Sequence, residues 1–166
     1  MTKAVWSAIA TLGVVVCMAA PVHAQTTATA SLSVTANVNA KAKLTLGVAS
    51  ITFADADPDV TPSIVASAFS VDVKSRTTAA GNVTLTVLAS GDLDSGGPTI
   101  AVGNLTWTAA GAGFQAGTSN KTTAQTVGSW TGSGNPSGTQ TYAFANSWSY
   151  ATGSYTVTLN YTLTAP

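Results

Sequence analysis

From residue 28 to residue 48 the even positions are all apolar: Ala30, Leu32, Val34, Ala36, Val38, Ala40, Ala42, Leu44, Leu46 and Val48 follow Ala28. The odd positions between them are Thr, Ser, Asn, Lys or Gly. Strict alternation turns every second side chain to one face, which predicts half-buried β-strand. The same period returns further along. Val65, Ser67, Phe69, Val71 and Val73 form one run, and Val83, Leu85, Val87 and Ala89 form the next. Ile100 and Val102 precede a change of register at Gly103-Asn104, after which Leu105 and Trp107 resume. Tyr142, Phe144, Asn146, Trp148 and Tyr150 share one parity, which predicts Trp148 on the core face with Phe144. Tyr155, Val157, Leu159, Tyr161 and Leu163 make the cleanest predicted strand. Gly-, Pro- and Asp-rich punctuation falls at residues 55–62, 90–98, 111–120 and 132–138. Short strands at this spacing predict an all-β fold: an immunoglobulin-like antiparallel β-sandwich of seven to nine strands.

The first alternating stretch is too long for one strand of such a domain. At 3.3 Å per residue it would extend roughly 70 Å, whereas a domain of this size is only about 40 Å across. Either the chain bends near Asn39-Ala40-Lys41 and forms two strands of one sandwich, or its first part leaves the domain. In the second case residues 25–39 are an N-terminal extension and 40–166 the sandwich. The extension then acts as a donor strand, with Leu32, Val34 and Val38 as the larger plugs and Ala30 and Ala36 as the smaller ones.

The beginning of the chain changes the compartment. Met1-Thr-Lys3, an uncharged and largely apolar run over 4–20, and Pro21-Val22-His23-Ala24 match a secretory signal peptide over 1–24 with an A-x-A-like cleavage site. Those residues carry the only Cys, the only His and both Met. The remainder has no Cys, His, Met or Glu, and sets six Asp against Lys41, Lys43, Lys74, Arg76 and Lys121. Such a chain lacks the His and Cys ligands that zinc sites normally need and the pairs of Cys/His nucleophilic systems. Its near-zero net charge gives no footprint for nucleic acid, and no second apolar run is long enough to insert in a membrane after cleavage. Without thiols or thioethers it also resists oxidation.

Little chemistry remains. Asp55-Ala-Asp57-Pro-Asp59 could offer oxygen ligands to Ca²⁺, but an EF-hand loop would require Gly and Glu where Val60 and Ala66 stand. Pro58 and Pro62 favour a solvated turn instead. No Ser-x-x-Lys pair occurs, and all the Asp residues but Asp72 lie in polar loops rather than beside aromatics. The expectation is a protein that is not an enzyme and holds no cofactor. Trp107, Trp130, Trp148, Tyr142, Tyr150, Tyr155 and Tyr161 could stack on sugars, though a core of otherwise small residues needs their bulk. Asn82, Asn104, Asn120 and Asn160 fit N-x-T, which a Thr-rich chain matches by chance.

Three features together resemble the subunits of donor-strand-exchange pili built by chaperone and usher systems: the signal peptide, the alternating extension Ser31-Leu-Ser-Val-Thr-Ala-Asn-Val38, and the aromatic-ended last strand Tyr155-Thr-Val-Thr-Leu-Asn-Tyr161 behind Gly153. The likeness covers the two ends of the chain. It departs at the penultimate position, where pilins carry Tyr and this chain has Ala165, and residues 90–140 match no pilin motif. It implies an incomplete sandwich with a groove beside the last strand, and Tyr155, Val157, Leu159 and Tyr161 lining it. It also implies a fibre of identical subunits at the cell surface, with a periplasmic chaperone and an outer-membrane usher as partners. The alternative is a monomeric secreted carbohydrate-binding or adhesive β-sandwich module.

Overall fold

The computed structural model describes residues 26–166; the expected signal peptide lies outside the described residues. Residues 26–36 form one unit of the chain and 37–166 the other. In the first, every residue is exposed and none is in a strand.

The second unit is all-β, with antiparallel pairing throughout and no α-helix among the described residues. Seven strands have six residues or more: β1 (Lys41–Leu46), β3 (Phe69–Arg76), β4 (Asn82–Ala89), β7 (Leu105–Ala110), β9 (Gln125–Thr131), β10 (Ser137–Ala145) and β11 (Leu159–Thr164). Four are shorter: β2 (Ser63–Val65), β5 (Leu93–Asp94), β6 (Thr99–Ile100) and β8 (Gly117–Thr118). One sheet runs β1-β3-β10-β7-β8, with β2 continuing the row of β3 along β10; a second runs β11-β4-β9; β5 and β6 form a small ribbon. The change of register expected at Gly103-Asn104 is a 3₁₀ turn over Val102–Asn104.

Both main sheets contribute to one core. Phe69, Val71, Val73, Leu105, Trp107 and Tyr142 come from the first sheet, and Leu85, Val87 and Val127 from the second. This is the arrangement of a β-sandwich, and period-2 patterning is its cause: in β4, Val83, Leu85, Val87 and Ala89 are buried while their neighbours are not. A satellite cluster of Ala89, Leu93, Ile100 and Val102 closes one end of the core. There Lys121 Nζ lies 2.6 Å from Asp92 Oδ2, and that hydrogen bond, with another from the Val102 amide, holds the Asp92 carboxyl below its usual range.

Three predicted strands are shorter than their alternation. The run 65–73 breaks after Val65, where Ala66 donates its amide to the Tyr142 carbonyl and pairing resumes only at Phe69. The run 142–150 ends at Ala145. Asn146 donates its amide to the carbonyls of Ala56 (2.9 Å) and Thr61 (3.1 Å), and Ser147 and Ser149 bond each other at 2.8 Å. Polar side chains that satisfy local backbone in this way compete with ladder pairing and turn the chain. Trp148 is therefore not in the core as its parity predicts, but 69% exposed. The final run pairs continuously only from Leu159, with Thr156 making a single bridge to Asp94.

One turn depends on a glycine. Gly113 has φ +82, and an added Cβ would sit 2.8 Å from the Ser129 carbonyl oxygen and against the Trp130 indole, whose N–H bonds Ala112 O at 2.8 Å. A β-branched residue is strained at positive φ even in open space. Gly113→Val is expected to cost about 1–3 kcal/mol, read as a fall in the midpoint of urea unfolding, with Gly97→Val, in open space and without positive φ, as control.

Candidate subunit interface

β1 ends one sheet and β11 ends the other. The two approach each other along one side of the fold, and neither has a strand partner on its outer edge. Along this side the core is covered less deeply than at its centre. On β4, which has strands on both sides, the inward side chains are fully buried. On β1 and β11 the inward side chains Leu44, Leu46, Leu159, Tyr161 and Leu163 touch the same core yet are only half-buried. The fold thus carries an apolar seam flanked by two free strand edges, each with unused backbone donors and acceptors.

Tyr161 fixes the floor of the seam. Its hydroxyl donates to Gln140 Oε1 at 2.7 Å, and the Tyr142 hydroxyl lies 2.8 Å from it, so a side chain of the second sheet is tied across the core to two side chains of the first. Gln140 is fully buried and its Nε2 has no partner, so this bond is the one its side-chain amide makes. Burial is the main reason the Tyr161 phenol is pushed up to about 12, and it pushes Tyr142 higher still.

The segment leading to β11 lines a cleft of about 880 Å³. Ile51, Phe53, Phe144, Tyr150 and Tyr155 give it an apolar floor, and Asp55, Asp57 and Trp148 stand on its rim. Asp57 shapes the rim: its carboxylate accepts the Asp59 amide at 2.9 Å and its carbonyl accepts those of Val60 and Thr61. Among the described residues no three His, Cys, Asp or Glu side chains converge as a metal site would require.

The predicted interface residues fall into two groups. Val157, Leu159 and Tyr161 come together on the β11 wall of the seam, and Tyr155 lies beyond them in the cleft. Ala30, Leu32, Val34, Ala36 and Val38 are exposed and in no strand; Leu32 is 88%, Val34 81% and Val38 68% exposed. The opposite wall, Leu44 and Leu46 with Ile51 and Phe53 beyond them, was not expected from sequence. The alternation of 42–46 reads there as the tail of the N-terminal stretch, and nothing local says that this part pairs with β3. No protein-family model matches the chain, and no curated protein matches it.

Proposed function

We propose that this chain is the structural subunit of an extracellular fibre, polymerising when the N-terminal segment of one copy enters the seam of the next. On this reading the domain is an incomplete immunoglobulin-like sandwich, and residues 26–38 supply the missing strand. The observation that carries it is the seam along β1 and β11, two strands with no partner on their outer edges whose inward side chains stay half-buried. Leu32, Val34 and Val38 are apolar side chains at alternate positions with nothing covering them, the pattern a groove between two strands accepts. Added backbone pairing along β11 would satisfy an edge that otherwise invites uncontrolled association. On this reading the signal-peptide pattern over 1–24 would export the subunit, and the fibre would form outside the cell. The pilin resemblance adds a chaperone that would occupy the seam before assembly and an usher that would release it. No catalytic step belongs to this reading.

Negative-stain electron microscopy of the chain from Gln25 onward tests it, beside the double variant Leu32→Asp, Val34→Asp. Filaments are expected from the first, and from the second monomers that melt at the temperature of wild-type monomer. Filaments from both, or from neither, would sink the proposal. A second reading, a saccharide-binding module, is favoured by the exposed Trp148 beside the cleft. It requires glycan-array binding that Trp148→Ala removes, by a chain that remains monomeric.

A further inference from the structure

Four of the domain's cations gather at one end of a sheet, and three of its carboxylates in a turn at the other. Lys41 is directly opposite Arg76, and Lys43 opposite Lys74, on the paired strands β1 and β3. Like charges facing each other across a ladder destabilise it. Among the described residues none of the four makes an ion pair, and Asp72 on β3 is the single carboxylate near them. These four cations, with Ser75 and Asn135, line a shallow pocket of about 340 Å³. They lie at the end of the sheet where β10 begins, since Ser75 bridges Gly134 and Ser137 faces Asp72.

The carboxylates of the Asp55–Asp59 turn are at the other end; Asp72, bonded by the Ser137 hydroxyl at 2.6 Å, is the one carboxylate among the four cations. Asn146, just past the end of β10, binds the carbonyls of Ala56 and Thr61, which sets the Asp55–Asp59 turn there. At about 3.3 Å per residue the nine residues of β10 separate the two ends by roughly 30 Å. That is several times the screening length of about 8 Å at physiological salt, so neither end neutralises the other within one copy. A second copy placed end to end does so.

From this sorting we infer that the basic end of one copy, Lys41, Lys43, Lys74 and Arg76, docks on the acidic turn of the next copy, Asp55, Asp57 and Asp59, the first two of which stand on the rim of its cleft. The inference rests on the strand-insertion reading and adds to it the direction and the entrance. The cleft lies between the continuation of β1 at Ile51 and Phe53 and the approach to β11 at Tyr155. Val38 is 68% exposed and stands three residues before Lys41. A neighbour whose lysines meet the carboxylates therefore brings Val38 to the apolar floor of the cleft and its N-terminal segment to the approach to β11. Opposed charge of this kind raises encounter rates and fixes orientation more than it adds final affinity.

The test follows filament growth of the chain from Gln25 onward by light scattering at 20 and 500 mM NaCl. Growth is expected to slow at least about tenfold at the higher salt. Two triple variants are then compared, Lys43→Glu, Lys74→Glu, Arg76→Glu and Asp55→Lys, Asp57→Lys, Asp59→Lys. The first is acidic at both ends and the second basic at both, so each alone is expected to grow at least about tenfold more slowly than wild type. Mixed one to one they are expected to regain growth as an alternating copolymer, which also shows that both are folded. Growth of either variant at the wild-type rate, or no recovery on mixing while circular dichroism shows native β-structure in both, would overturn the inference. The variant with Asp at 32 and 34 separates the two claims. If it fails to assemble while charge reversal has no effect, insertion stands and electrostatic docking falls. If wild type does not associate at any salt, both fall.

Discussion

Replacing Trp107 by Ala is expected to remove about 3–5 kcal/mol of stability, a large share of the roughly 5–15 kcal/mol that holds a domain of this size together. Trp107 is 2% exposed at the centre of β7, its ring centroid 5.8 Å from that of Tyr142. Its indole N–H donates to the Gln115 carbonyl at 2.9 Å. Truncation would open a void between the sheets and leave that carbonyl unpaired. The surrounding strands cannot collapse to fill it, because their pairing on both sides of β7 fixes their spacing. Urea unfolding followed by circular dichroism checks the effect. Trp148→Ala is the matched control: Trp148 lies outside the core, and its loss is expected to change stability by no more than about 0.5 kcal/mol. Equal effects at the two positions would refute the burial assigned to them.

The second large effect is a loss of stability in alkali. An unfolded tyrosine ionises near 10, whereas burial pushes the Tyr161 phenol up to about 12 and Tyr142 further in the same direction. Below about pH 10 both states keep the proton, and stability does not depend on these groups. Between about 10 and 12 the unfolded chain binds fewer protons than the folded one, so stability falls as pH rises. A shift of this size corresponds to about 2–3 kcal/mol from Tyr161 alone, lost by the time pH passes its folded value. Unfolding midpoints measured from pH 8 to 12 are expected to be flat and then to drop. In Tyr161→Phe the drop is expected to be shallower. That variant also begins about 1–3 kcal/mol lower at pH 8, because Gln140 loses the bond its buried side-chain amide makes. A flat profile to pH 12 in the wild type would contradict the burial of this pair. Tyr161 also lines the seam, so an inserted strand would bury it further. Filaments are accordingly expected to withstand alkali better than monomers.

The sequence by itself determined the class of the fold and much of its strand content. Period-2 alternation in 83–89 and 105–107 survives as buried and exposed faces of β4 and β7, because a face that must be apolar leaves its mark at every second residue. The register change at Gly103-Asn104 was legible for the same reason. Alternation could not say where a strand stops. Asn146 ends β10 by bonding carbonyls 85 and 90 residues away, and that long-range contact sends Trp148 outward despite its parity.

The candidate site divides in the same way. The β11 wall, with Leu159 and Tyr161, was legible because it is a local alternating run. The facing wall of Leu44 and Leu46 was not, because it exists only once β1 pairs with β3 and β11 with β4. Gln140, a polar residue, is fully buried, and the partner that its side chain finds there, Tyr161, comes from the other sheet. The opposition of charges at the two ends had no sequence signature either. Lys41 and Arg76 are far apart in the chain and become neighbours through antiparallel register, which is fixed by pairing rather than by composition. Sequence periodicity records which face of each strand is apolar. Which strands become edges, and what those edges leave open, is decided by how the strands are ordered in the sheets.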